Sequence, residues 1–344
     1  MKKCIALLLT VVFVLSMAAC AKAPAENSAD AEKSGGFPVT VTDQLGREVT
    51  IEKAPEKLVS GYYISTSLLI ALGQQDKLVG IEAKADTRPI YSLAAPELLD
   101  LPSVGTAKEF KLEECAALEP DLVILPAKLK DTIPSLEELG ITVIAVNPED
   151  ETLMDEAVAL LGDATGAAGK ADELLAFNDK LTDEITKAVA DTEKPSVYLS
   201  SNSDLLAAAG GKVYQNTLID NAGGTNVAAE LSDKSWSDVS YEQILAWNPQ
   251  TIVIAAEADY SVEDVLADAS LAGTDAVTNQ KVYKFPDAIE AWDAPVPSGV
   301  LGTAWLAHTL HPDAYKADSL KQDVTDFYET FYGFTPDTTD IVSE

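Results

Sequence analysis

Residues 113–124 read EECAALEPDLVI, and residues 242–253 read EQILAWNPQTIV. Glu113 and Glu242, Ala117 and Ala246, and Pro120 and Pro249 correspond at a constant offset of 129 positions. Each block holds a helical stretch, a proline turn and then an apolar run of strand length. A unit of this kind that returns once implies a duplicated half, and so two similar lobes.

Outward from the repeat the same alternation continues. Strands are expected at 57–60, 78–82, 122–125 and 141–146, with helices at 65–72, 112–118 and ending at 136–139, where Gly73 and Gly140 supply stops. In the second half strands are expected at 197–200, 251–255 and 281–285, among helices at 214–221, 241–246, 262–266, 299–310 and 320–331. Strand–helix alternation of this length specifies parallel α/β sheets. Residues 37–52, which alternate around Leu45-Gly46, read as a β-hairpin. Between the halves, residues 151–191 contain no strand-like run. Ala171, Leu174, Leu175, Asn178, Leu181, Ile185 and Ala188 fall on one helical face. A helix over 167–191 would be roughly 37 Å long at 1.5 Å per residue, enough to span two lobes.

Composition bounds the function. Lys and Arg number 24 against 56 Asp and Glu in 344 residues, a formal charge of −32. Such a chain repels a phosphate backbone and an anionic lipid surface, which excludes non-specific nucleic-acid binding as its main task. Its mean hydropathy of +0.05 is too low for a polytopic membrane protein. Lys2 and Lys3, an apolar run over 5–17 and Met17-Ala18-Ala19-Cys20 read as a secretory signal. Its end resembles a bacterial lipobox, with Met17 where Leu is commoner. Cys20 is then the lipidated first residue, and lipid is the chain's one link to a membrane. Cys4 leaves with the signal and only Cys115 remains, so the mature domain has no intrachain disulfide. The expected organisation is a lipoprotein signal peptide at 1–19, a flexible tether at 20–36, an N-terminal α/β lobe at 37–150, a connecting helical segment at 151–194, a C-terminal α/β lobe with terminal helices at 195–332, and a tail at 333–344.

An ordered series of short motifs carries a resemblance. Val41-Thr42-Asp43, Gly46-Arg47-Glu48-Val49-Thr50, Leu78-Val79-Gly80, Pro120-Asp121-Leu122-Val123-Ile124 and Leu139-Gly140-Ile141 stand in the first half. Gly223-Gly224-Thr225-Asn226, Ser240-Tyr241-Glu242, Trp247-Asn248-Pro249 and Leu310-His311-Pro312 stand in the second. Together they resemble the solute-binding lipoproteins of ABC importers for ferric siderophores, haem and vitamin B12, over about residues 38–332. The resemblance implies an α/β fold of two Rossmann-like lobes joined by a long rigid helix, the helical-backbone metal-chelate receptor fold. It also implies a monomer that works with a permease dimer and its ATPase. Glu113 and Glu242 match the two glutamates, one per lobe, that dock on that permease. Two charges related by pseudo-symmetry suit a two-fold partner.

In open parallel sheets ligands lie beyond the carboxyl ends of the strands. That rule nominates Tyr62 and Tyr63, of which one faces the cleft because neighbours alternate in direction. It also nominates Lys84, Arg88 and Lys128 in the first lobe, and Asn202, Trp236, Tyr260, Trp292 and Asp293 in the second. Aromatic rings beside cations suit a bulky chelate with anionic or oxygen-rich edges, such as a ferric siderophore; cobalamin and haem are the alternatives. His308 and His311 lie at a C-terminal helix, away from the cleft, which disfavours histidine ligation of haem. Thr106 follows Gly105 where some haem-binding relatives place tyrosine. A directly bound metal is disfavoured too, because no converging His and carboxylate cluster is visible. A surface adhesin or receptor on the same fold is one rival, which the sequence leaves open; an extracytoplasmic enzyme is another. Glu113 and Glu242 could be read as a glycosidase acid pair, but both sit a helix ahead of a strand, on the outer rim. Motifs for nucleophilic, zinc-hydrolase or phosphate chemistry are missing. The expectation is binding without catalysis and without a cofactor.

Overall fold

A computed structural model of the chain describes residues 36–231, 236–339 and 341. Cys20, the signal segment and nearly all of the tether lie outside the described residues. The hairpin pairs β1 (Val39–Thr42) with β2 (Glu48–Ile51), Val39 opposite Ile51. Asp43 organises its turn. Its Oδ1 accepts the amides of Leu45 and Arg47 at 3.0 and 2.9 Å, and its Oδ2 accepts the Arg47 guanidinium and the Ala145 amide. Gly46 supplies the left-handed residue of the turn, at φ +77°. The motif that reads Thr-Asp-x-x-Gly-Arg in sequence is thus a clamp fastening the hairpin to the first sheet.

The first lobe contains, in chain order, β3 (Leu58–Ser60), α1 (Tyr63–Ala71), β4 (Leu78–Gly80), α2 (Pro89–Ala94), α3 (Leu112–Ala117), β5 (Leu122–Pro126), α4 (Ile133–Glu138) and β6 (Thr142–Val146). Its four strands run parallel in the order β4-β3-β5-β6. Every residue of β3 and β5 is buried, as a sheet covered on both faces requires.

Two helices follow. α5 (Glu151–Thr165) starts at Asp150, whose side chain accepts the Leu153 amide, and stops at Gly166. α6 (Ala168–Val189) has 22 residues, about 33 Å of axis. It buries Ala171, Leu174, Leu181, Ile185 and Val189. Ala188, expected on this face, is exposed. The step from Ile185 is four residues, not three, because the apolar stripe of a straight helix follows 3.6 residues per turn.

The second lobe comprises β7 (Ser196–Ser200), β8 (Ala207–Ala208), α7 (Tyr214–Asn221), β9 (Thr225–Asn226), β10 (Ser237–Asp238), α8 (Tyr241–Trp247), β11 (Thr251–Ile254), α9 (Val262–Ala267), α10 (Asp275–Thr278), β12 (Val282–Lys284), α11 (Gly299–Leu310) and α12 (Ala317–Tyr332). Its sheet runs β10-β8-β7-β11-β12, with β9 beside β7. The β7–β11–β12 centre is parallel, and β8 is antiparallel to both of its neighbours. The two sheets are separate. α12 crosses back to pack on α1, where Ser67 Oγ and the Tyr332 hydroxyl lie 2.9 Å apart.

The repeat is structural as well as textual. Glu119 and Asn248, each preceding the paired prolines, are both left-handed, at φ +50° and +45°. Cys115 and Ile244 are both fully buried at equivalent helix positions. Asp121 accepts the amides of Glu56 and Lys57, while Gln250, its counterpart, accepts the amide of Ser196.

Gly302 marks a close approach in α11: a Cβ there would stand 2.1 Å from the carbonyl oxygen of Trp292. Trp292 is itself fixed, buried with its indole N–H donating to the Tyr328 hydroxyl at 2.9 Å. Gly302→Ala is expected to lower stability by about 1–3 kcal/mol through overpacking. A urea titration checks it, and an unmoved midpoint would refute the contact's rigidity.

Candidate functional site

The carboxyl ends of the two sheets border a cavity of about 210 Å³. The first lobe contributes Tyr63 and Ser67 of α1 and the run from Arg88 to Tyr91. The second contributes Asn202 after β7, Gln215 of α7, Trp236, the 255–257 turn after β11, and residues between Asp287 and Val296 after β12. Proline at the first position of α2 fixes the backbone after Arg88. The Arg88 guanidinium lies over the Tyr63 ring at 4.3 Å, and its Nη1 stands 3.7 Å from Oε1 of Glu257 on the opposite lobe.

Two buried carboxyls back the cavity. Glu82 accepts the Thr66 hydroxyl at 2.6 Å and the Tyr91 hydroxyl at 2.7 Å. Glu290 accepts Ser67 and Ser298, each at 2.6 Å. The Ser67–Glu290 bond joins α1 to the loop after β12, so the floor of the cleft is itself an inter-lobe contact. Desolvation raises the pKa of both carboxyls above the usual range, against the pull of their hydroxyl donors and of Arg88. Asp293, 5% exposed, is pushed up to about 7, chiefly by burial, with Glu257 and Asp287 adding to the rise. Tyr63 is pushed up to about 12 by burial, so its phenol is neutral at physiological pH.

Of the residues nominated from sequence, Tyr63, Arg88, Asn202, Trp236 and Asp293 line this cavity. Tyr62 precedes α1 and packs edge-on against Tyr63, ring centres 5.2 Å apart, without lining it. Lys84 and Lys128 are exposed and away from the lining. Tyr260 donates to Ser200 Oγ and the Ser201 carbonyl at 2.8 and 2.6 Å, bracing the end of β7. Trp292 lies in the core behind the site. Ser67, Tyr91 and Gln215 line the cavity but sit on helices, where a rule about strand-end loops does not look.

Glu113 and Glu242 occupy the second positions of α3 and α8; both are exposed and neither lines the cavity. His308 and His311 bond to the carbonyls of Tyr315 and Gly223, in the C-terminal helical region. Among the described residues no group of three or more His, Cys, Asp or Glu could hold a metal ion, and no helix is long and apolar enough to cross a membrane.

The model of the family described as "Periplasmic binding protein" matches residues 58–289, a span that contains both sheets and most of the cavity lining. The chain belongs to the periplasmic binding protein family. Among its relatives is the molybdate-binding protein MolA of Haemophilus influenzae, 28% identical, with 86% of this chain and 92% of MolA covered. A molybdate-bound structure of MolA, described as the cognate binding protein of an ABC transporter, matches with a TM-score of 0.72 at 25% identity, covering 87% of this chain and 99% of that one. The ABC transporter substrate-binding lipoprotein YvrC of Bacillus subtilis is 29% identical, with 83% and 89% covered. A cobalamin-binding protein of Halobacterium salinarum is 27% identical, with 88% and 82% covered.

Proposed function

We propose that this protein is the extracytoplasmic substrate-binding lipoprotein of an ABC importer, and that it captures a ferric siderophore-type chelate between its lobes and delivers it to the permease. The observation that carries the reading is the cavity between the strand ends of two facing lobes. Tyr63, Tyr91 and Trp236 line it beside Arg88, Asn202 and Gln215: flat apolar surface to cover a bulky chelate, with a few polar groups to orient it. The resemblance to YvrC supports both the importer role and an anchor at Cys20, with residues 20–36 as tether.

The cavity is smaller than the roughly 300–1,000 Å³ of typical small-molecule sites. A chelate therefore enters as the lobes part, and its contacts to both lobes then favour the closed form that docks. A corrinoid is the second reading, favoured by the cobalamin-binding relative and by the amide and hydroxyl groups in the lining. Haem is a third ligand of the same general shape. The MolA ligand, a compact oxyanion, leaves the aromatic lining without a partner.

Trp236 in the lining and Trp292 behind it make ligand entry visible by fluorescence. Titration with a ferric hydroxamate, a ferric catecholate, cyanocobalamin and haem is expected to give saturable quenching with at least one. A flat response to all four overturns the ligand class.

A further inference from the structure

The cleft is acidic where a cation-rich one was expected. Among the described residues that line it, the cationic side chain is Arg88, set against the carboxyls of Glu257, Asp287, Glu290 and Asp293. Lys84 and Lys128, the other cations nominated for the first lobe, are turned out to solvent. Arg88 is also already engaged. Tyr63 covers its face at 4.3 Å, and Glu257 meets it from the other lobe at 3.7 Å. Its field reaches the buried Glu82 and Glu290 as well.

Glu257 is placed there by its surroundings. Its backbone is left-handed, at φ +55°, and its amide donates to Asp287 Oδ2 at 3.0 Å. Asp287 is in turn 3.2 Å from the Lys284 ammonium, at the end of β12. The chain from Lys284 through Asp287 fixes the turn that presents Glu257 to Arg88.

We propose that Glu257 is a specificity-determining residue of the cleft: by engaging Arg88 across the gap it withholds the guanidinium from anionic ligands and selects chelates whose rim is neutral or cationic. This rests on the metal-chelate reading above and narrows it. An anionic chelate that displaced Glu257 would leave that carboxylate facing its own charge. A rim of amide, hydroxyl or ammonium donors instead meets acceptors on Glu257, Asp293 and the neighbouring carbonyls. Discrimination thus comes from a repulsive element as much as from attractive contacts.

The test compares the mature wild-type protein with Glu257→Gln, a near-isosteric change at an exposed side chain. Each is titrated with a cationic ferric trihydroxamate, a neutral one, an anionic ferric tris-catecholate, cyanocobalamin and molybdate. The wild type is expected to bind a neutral or cationic chelate at least about tenfold more tightly than the tris-catecholate or molybdate, and Glu257→Gln is expected to shift that ratio toward the anion by about three- to tenfold, the scale of one partly exposed charge contact. A wild type that prefers the tris-catecholate, or a ratio unmoved by the substitution, overturns the inference and leaves the chelate reading standing; one that prefers molybdate over every chelate overturns both. A wild type that binds none of the chelates overturns both.

Discussion

Glu113→Ala combined with Glu242→Ala is expected to leave ligand affinity intact and to abolish uptake. The two carboxylates are equivalent by construction. Each follows the first residue of a short helix that turns, through a left-handed residue and a proline, into a fully buried strand of its own sheet. Equivalent local frames put the two charges in equivalent poses on their lobes, and both are exposed. Glu242 is held below the usual carboxylate range by its own amide and by Ser240, which keeps it ionised. Neither touches the cleft, so ligand binding has no route through them. A two-fold permease presenting basic pockets would meet both at once, and removing one member of a desolvated interface ion pair typically costs about 2–5 kcal/mol. Two such losses would reduce docking by more than about a hundredfold. Uptake of a labelled chelate by cells carrying the variant, beside fluorescence titration of the purified protein, checks both halves. Normal uptake would remove these residues from the docking role.

The legibility of this chain followed burial. β5 and β11 are buried along their whole length, so each is an uninterrupted apolar run, and both helix–strand units around them could be read directly. β8, β9 and β10 have two residues each. They are strands only because β7 and its neighbours offer hydrogen-bonding partners, and two residues carry no period. Among site residues, those directly after strands were accessible to reasoning from topology; Tyr91 and Gln215 were not, since their helices show the cavity only a single turn. Charge misled most. The lysines that coloured the first lobe's loops basic are solvated. Lys84 is left-handed, at φ 68°, and Lys128 follows β5 in a 3₁₀ turn over Ala127–Thr132. A loop residue's side-chain direction depends on such local turns, which neither periodicity nor composition encodes.

Asp293→Asn is expected to make the protein more stable above pH 7 and to flatten part of its pH dependence. Asp293 is buried beside two further acids, Glu257 and Asp287, and holds its proton to about pH 7, whereas the ordinary value is 3.8. Between those limits the folded chain binds a proton that the unfolded chain has released, so stability falls as pH rises through this window. Below it the term vanishes; above it the cost of the buried charge is fully present, on the order of 4–5 kcal/mol at about 1.4 kcal/mol per unit. Glu82 and Glu290 shift in the same direction, so the wild type keeps a background slope of the same sign. The informative quantity is the difference between the two proteins. Chemical denaturation at pH 4 and pH 8 should give nearly equal stabilities at the lower pH and a clear advantage for the asparagine variant at the higher. Parallel curves would mean that Asp293 is hydrated and ionised in the folded state. The same residue links charge to cargo: a cationic rim in the cleft would favour the ionised carboxylate, so binding near neutral pH should release protons in the wild type and fewer in Asp293→Asn.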